Sequence, residues 1–192
     1  MRSTLQHLPL QPGDLVFIAI RSALYRKVAQ ATGSIASHVG ILFNDPAQGW
    51  VVAESTIPVV KYTPLEKFLA RSDQGWFAIR RLKGGIDAAQ CEALRRACDS
   101  KLGVLYHLGF RFESSRQFCS KLVYEAYLSA TGVQAGTLES FEQLLTQRPN
   151  TSLRFWRLWF FGFIPWSRLT VTPASQMTCE RFETVLDTAT RC

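Results

Sequence analysis

No run of about 18 uninterrupted apolar residues occurs in the 192-residue chain, which excludes an ordinary membrane-spanning helix. The first residues, Met-Arg-Ser-Thr-Leu-Gln-His-Leu-Pro-Leu-Gln-Pro, hold no apolar stretch long enough for a secretory signal, and a cytoplasmic location is expected. Nucleotide-phosphate fingerprints are missing: there is no G-x-G-x-x-G after a strand and no G-x-x-x-x-G-K-[ST]. The serine nucleophile elbow G-x-S-x-G is missing too. Histidine is scarce, with three at positions 7, 38 and 107, and neither H-E-x-x-H nor paired C-x-x-C is present. No metal and no cofactor is therefore expected. Cysteine is an odd five, at 91, 98, 119, 179 and 192, without the spacing of a small disulfide scaffold. Free thiols in a reducing compartment are the simpler reading. Glycine (12) and proline (8) are too few for a collagen-like or low-complexity chain.

What is present is enough for a core. Apolar residues make up 47% and charged ones 19%, which suits one folded domain over residues 1–192 and excludes disorder. The net charge is +7, and 16 of the 22 cations are arginine. An anionic partner follows, such as lipid headgroups or an acidic substrate. The cations are scattered and no nucleic-acid motif accompanies them, so specific nucleic-acid binding is not expected.

Residues 14–20 follow Pro12-Gly13 and predict a buried strand; 21–32 predict a helix ended by Gly33. Residues 38–43 and 50–55 predict a hairpin across the turn-forming 44–49, and 57–62, interrupted by Pro58, an edge strand. Thr63-Pro64-Leu65-Glu66 predicts a helix start with Thr63 as cap. A strand over 76–82 and a helix from an Asp87 cap to about Lys101 follow. Ser115 is placed to cap a helix ending before Gly132, and Thr137 to start another. The tail holds 171–177 and a strand over 182–187. Strands joined by hairpin turns argue α+β with an antiparallel sheet.

Cys119 falls in the first turn of the expected helix, where free N–H groups and the macrodipole favour thiolate; Arg116 and Lys121 would add positive potential. It also belongs to an apolar stripe with Leu122, Val123, Ala126, Tyr127 and Ala130, so a plain core position stands beside the nucleophile. Cys91 and Cys98 read as core; Cys179 and Cys192 have no catalytic context. His38 opens an apolar strand, a rigid mount for a base or a satisfied buried histidine, and His107 is a rival base. Glu54, inside a strand, needs a partner. It either orients His38 or pairs with an arginine. If Val39 faces Ala53 across the hairpin, His38 and Glu54 share a sheet face; a one-residue slip separates them.

Four segments occur in order: Gly13-Asp14-Leu15-Val16-Phe17, Ser37-His38-Val39-Gly40-Ile41, Val52-Ala53-Glu54-Ser55 and Phe118-Cys119-Ser120-Lys121-Leu122-Val123. This set resembles the circularly permuted branch of the NlpC-type, papain-like cysteine hydrolases, the YiiX/YebB-like group. Tyr106-His107, residues 113–118, Phe155-Trp156, Ile164-Pro165-Trp166 and residues 170–175 extend the likeness toward its YebB-like members. The resemblance implies a permuted papain-like fold, in which a helix bearing the nucleophile packs on an antiparallel, barrel-like sheet bearing the base. It implies Cys119 as nucleophile, His38 as base and Glu54 as the polar third residue. Tyr106 resembles a tyrosine near the site in the wider superfamily and is a substrate or oxyanion contact on that basis only.

The function expected is a thiol-dependent amidase or peptidase acting on a small peptide or amide. The rivals are a lipid acyltransferase or phospholipase acting on an acyl lipid, and a non-catalytic binding protein. Oligomeric state and physiological substrate stay open. Residues 153–166 carry ten large apolar residues among 14, too few to span a bilayer. Two readings stand for them: rings completing the core, or an exposed patch beside the Cys119 cleft that meets an acyl chain or an anionic membrane surface.

Overall fold

The computed structural model describes residues 8–146 and 153–191. In chain order the elements are β1 (Leu15–Ile20), α1 (Ala23–Thr32), β2 (His38–Asp45), β3 (Gly49–Ser55), β4 (Val60–Pro64), α2 (Leu65–Leu69), β5 (Ser72–Leu82) and α3 (Ala88–Asp99). Then come α4 (Cys119–Thr131), β6 (Leu138–Ser140), α5 (Phe141–Thr146), α6 (Leu153–Trp159), β7 (Leu169–Val171), α7 (Pro173–Met177), β8 (Phe182–Asp187) and a closing 3₁₀ turn (Thr188–Arg191).

Six strands form an antiparallel sheet in the order β4-β3-β2-β1-β5-β8. The central strands are apolar on both faces because both faces are covered. Leu15, Phe17, Val39, Ile41, Phe43, Val51 and Ala53 meet Val123, Ala126 and Tyr127 of α4 and Leu94 and Cys98 of α3. Val16, Ile18, Leu42 and Val52 meet Leu65, Phe68 and Leu69 of α2. The chain is thus α+β, with a helix bearing Cys119 packed on a large antiparallel sheet. Among the described residues no helix is long and apolar enough to cross a membrane.

Local signals explain most ends. Ser22 caps α1 by accepting from the Tyr25 N–H, and Gly33 ends it in the left-handed conformation. Asp87 and Gln90 form a capping box at α3. Three expectations change, and the tail segment gains a helix. Thr63 lies in β4 and caps nothing: its hydroxyl donates to Glu54 Oε1 at 2.6 Å, a buried carboxylate with a stronger need of a donor than a helix end has. The helix expected from Ser115 begins at Cys119, because Gln117 bridges to 105–107 instead: its N–H donates to the Leu105 carbonyl, and that of His107 to the Gln117 carbonyl. Thr137 starts no helix but leads into β6, and only then α5. Thr172 caps the short helix α7, which takes up most of the tail segment 171–177.

The β2–β3 register pairs Ile41 with Ala53, two residues from the pairing considered above. A two-residue shift keeps every side chain on its face, so His38 and Glu54 still share one, diagonally rather than directly opposite. Extending the register sets Gly40 across from Glu54. A Cβ on Gly40 would lie 2.4 Å from a Val52 methyl and 2.8 Å from the Ala53 carbonyl oxygen, which cannot yield without moving the ladder. Gly40→Ala is expected to cost about 2 kcal/mol, as overpacking of a tight core does, and to appear as a lowered thermal midpoint. An unchanged midpoint would show that the strands separate freely at this point.

Candidate active site

Cys119 is the first residue of α4. The preceding Phe118 offers no side-chain cap, so the first N–H groups of the helix stay free for whatever lies at its end. The thiol is buried. Burial pushes its pKa up, but the His38 ring and the backbone N–H groups of Val39 and Ser120 outweigh this and bring it below the ordinary thiol value. The expected help from Lys121 is not there. Its ammonium donates to the carbonyls of Ser114 and Arg116 and pairs with Glu125, so it braces the loop leading into Cys119.

His38 is fully buried at the first residue of β2, at the rim of the sheet, where the N-terminus of α4 reaches it. Its Nε2 meets Glu54 Oε2 at 2.6 Å. A carboxylate only accepts, so Nε2 carries the proton, and Nδ1, buried without a conventional partner, is left to serve the thiol. Burial acts to lower the His38 pKa, but Cys119 and Glu54 reverse this and carry it up to about 9. The two shifts run in the directions a thiolate–imidazolium pair requires, the thiol below its ordinary value and the imidazole above its own. Phe68 lies against the ring at 5.5 Å between centroids and Tyr25 meets it edge-on at 5.8 Å, so the ring has little freedom to turn.

Glu54, also fully buried, accepts from His38, from Thr63 and, at 2.7 Å, from Arg71. The two alternatives left open for it hold together: it bonds His38 and pairs with an arginine. Burial acts to raise its pKa, and the three donors more than compensate, bringing it down to about 2. Arg71 in turn lies over the Phe68 ring at 4.9 Å, closing a ring of contacts around the imidazole.

Tyr106 is buried, and its hydroxyl has no partner of ordinary geometry; its neighbours in charge are Cys119 and Tyr25. Both phenols are pushed upward, chiefly by burial, and stay protonated donors. His107 is turned to other work. Its Nδ1 accepts from the Gly109 N–H at 2.9 Å, and burial lowers its pKa, so it braces its own loop away from the thiol. Three contributors escaped the sequence reading: Tyr25, Thr63 and Arg71. Thr63 competed with a good capping pattern. Tyr25 sits in an ordinary amphipathic helix, and Arg71 is one of many arginines; neither carries a local signal.

Of the other cysteines, Cys98 is buried and pushed up to about 12 by burial, and Cys91, half-buried, is also raised by burial. Cys192 lies outside the described residues. The aromatic stretch divides between its two readings. Trp156 is buried on Phe141 and Ile164, and Phe155, Trp159 and Phe160 are half-buried. Phe161 and Phe163 face solvent. Cys119, Tyr25 and Tyr106 line a narrow apolar pocket whose far wall includes Phe141 and Trp156. A wider, polar groove bounded by 132–139 and 172–181 holds none of the three central residues.

The model of one protein family matches residues 9–186; the family is described as permuted papain-like amidase enzyme, YaeF/YiiX, C92. The chain is 27% identical over 175 residues to YiiX of Escherichia coli K12, an uncharacterized protein, covering 91% of this chain and 85% of that one. It superposes with a TM-score of 0.85 on the crystal structure of a protein described as metalloprotein YiiX from Escherichia coli O157:H7. That match has 27% identity and covers 92% of this chain and 97% of the other. Among the described residues of this chain, no group of three or more His, Cys, Asp or Glu side chains is placed to hold a metal ion.

Proposed function

From the premise that the chain belongs to the family of permuted papain-like amidases, YaeF/YiiX, we propose that it hydrolyses an amide bond through an acyl-enzyme on Cys119. One observation carries this reading: the buried series Glu54, His38, Cys119 ending at an uncapped helix N-terminus. The Cys119 thiolate attacks the carbonyl carbon, and the oxyanion takes hydrogen bonds from the Cys119 N–H and the Tyr106 hydroxyl. The His38 imidazolium then protonates the leaving nitrogen as the C–N bond breaks, leaving a thioester and a neutral ring. Water, losing its proton to His38 Nδ1, attacks the thioester; the C–S bond breaks, which releases the acid and restores the Cys119 thiolate beside the imidazolium. Glu54 holds the ring in the tautomer both steps need.

The apolar pocket beside the thiol supports a second reading, in which the acyl half is a hydrocarbon chain and the scissile bond an amide or ester of a lipid. A lipid or amine acceptor in place of water would make the same acyl-enzyme a transferase.

Labelling with an acyl-directed, cysteine-reactive electrophile tests the proposal. One site, Cys119, is expected to react rapidly near neutral pH. Cys91 and Cys98, whose thiols are raised, are expected to lag by about tenfold or more. Cys119→Ala should abolish the rapid labelling and the turnover found in a panel of peptide amides, N-acyl amines and acyl esters. Turnover that survives Cys119→Ala would overturn the proposal, as would a Cys119 that reacts only after unfolding.

A further inference from the structure

The last turn of α6 and the turn after it expose side chains that a folded core would take in. Leu158 is 80% exposed, Phe161 95% and Phe163 86%. The backbone there makes the exposure costlier still. The Phe161 N–H donates to the Leu158 carbonyl and the Gly162 N–H to that of Arg157, the bond pair of a Schellman helix end. The residue that must go left-handed there is ordinarily glycine; here it is Phe161, at φ +54°, with Gly162 one place too late. A bulky residue in that conformation is strained, and nothing packed against its ring offsets the strain. The turn is nonetheless firmly mounted. Trp156 is buried, Phe155 stacks on Trp159 at 5.9 Å, and the Trp159 indole donates to the Leu108 carbonyl at 3.0 Å.

The segment that carries it has charge of one sign. No Asp or Glu occurs between Glu142 and Glu180, a stretch that holds four arginines. Two of these, Arg154 and Arg157, lie one turn apart on α6, exposed and without an ion pair among the described residues. Rings and a leucine at the tip of a basic, acid-free segment are the composition of a surface that rests in a lipid interface.

We propose that residues 154–163 dock the protein on an anionic bilayer. Leu158, Phe161 and Phe163 enter the acyl boundary, and Arg154 and Arg157 meet the lipid phosphates. The surface adjoins the candidate active site through α6, because Trp156 of that helix also lines the pocket holding Cys119. The proposal goes beyond the catalytic reading and does not depend on it.

Co-sedimentation of the full chain with vesicles of phosphatidylglycerol and phosphatidylcholine, against phosphatidylcholine alone, tests it. The protein is expected to partition onto the anionic vesicles. Phe161→Ser with Phe163→Ser should lower the partition coefficient about 10- to 100-fold. Arg154→Gln with Arg157→Gln should lower it roughly tenfold, as should raising salt to about 0.5 M. Both pairs are exposed, so thermal midpoint and Cys119 labelling should stay as in the wild type, which separates this test from the fate of the catalytic reading. Should the phenylalanine pair misfold, the arginine pair decides. No binding to anionic vesicles, or binding indifferent to both pairs and to salt, overturns the proposal. A change of oligomeric mass in the phenylalanine variant with vesicle binding intact also overturns it and assigns the turn to a protein interface.

Discussion

His38→Ala is expected to lower amide turnover by about 10⁴-fold or more, because removal of a base that acts as one unit with its nucleophile costs nearly the whole chemical step. The pH profile distinguishes this from loss of fold. In the wild type the Cys119 thiol lies below its ordinary value and His38 is raised to about 9. As pH rises, activity should appear below the ordinary thiol range, as Cys119 loses its proton, and fall through about 9 as His38 loses the proton it must give to the leaving nitrogen. The alkylation rate of Cys119 should share the lower limb only, since alkylation needs thiolate and no proton donor. In His38→Ala both the cation and the base are gone. Burial then acts on the thiol with only the Val39 and Ser120 N–H groups and the helix end against it, so alkylation at neutral pH should drop and recover only in alkali. A variant that keeps neutral alkylation while losing turnover would mean that the helix end alone sustains the thiolate. A variant that keeps both would remove His38 from the chemistry.

Cys119 and His38 stood out as candidates because each lies where local rules agree, although a plain core reading stood beside each and their roles came from the resemblance. A cysteine in the first turn of a helix and a histidine that opens an apolar strand are visible in one dimension, and period-two alternation keeps His38 and Glu54 on one face through any even shift. The register itself was not legible, since nothing local distinguishes Val39 from Ile41 as the partner of Ala53. The start of α4 was missed by three residues for a related reason. Ser115 is a good cap locally, but pairing of Gln117 with Leu105 and His107 overrides it, and that pairing joins segments ten or more residues apart. The same contest moved Thr63 from a helix cap to a carboxylate donor. What escaped entirely were the partners of partners. Tyr25 and Arg71 come to the site from α1 and from the turn before β5, and only the folded arrangement brings them there. The aromatic stretch was legible as a question rather than an answer, because hydropathy does not say which rings of a short helix face inward.

Glu54 carries the second large expected effect, on stability as well as rate. Three donors converge on one fully buried carboxylate, and one of them, Arg71, has a side chain only 32% exposed. Glu54→Ala leaves His38, Thr63 and Arg71 facing a void. Breaking a buried pair from one side is expected to cost about 3–5 kcal/mol, read from denaturant unfolding. Glu54→Gln keeps the shape and one acceptor oxygen for His38 or Thr63, while Arg71 can turn toward solvent. It should cost less, about 1–2 kcal/mol, and still lower turnover by roughly 10- to 100-fold. The dependence on pH carries the sign of each group. Glu54 titrates near 2 when folded against 4.5 when free, so its stabilisation is complete above about 4.5 and is lost as pH falls toward 2. The stability gap between wild type and Glu54→Gln should therefore be widest near neutrality and narrow in acid. On the rate side, the carboxylate is one of the groups that hold His38 near 9, so the upper limb of the activity profile should move to lower pH in Glu54→Gln. A purely structural Glu54 would shift the unfolding curve and leave that limb in place. If the limb moves while the rate loss is small, the carboxylate sets the imidazole's charge, and its orientation is held by the Phe68 and Tyr25 rings.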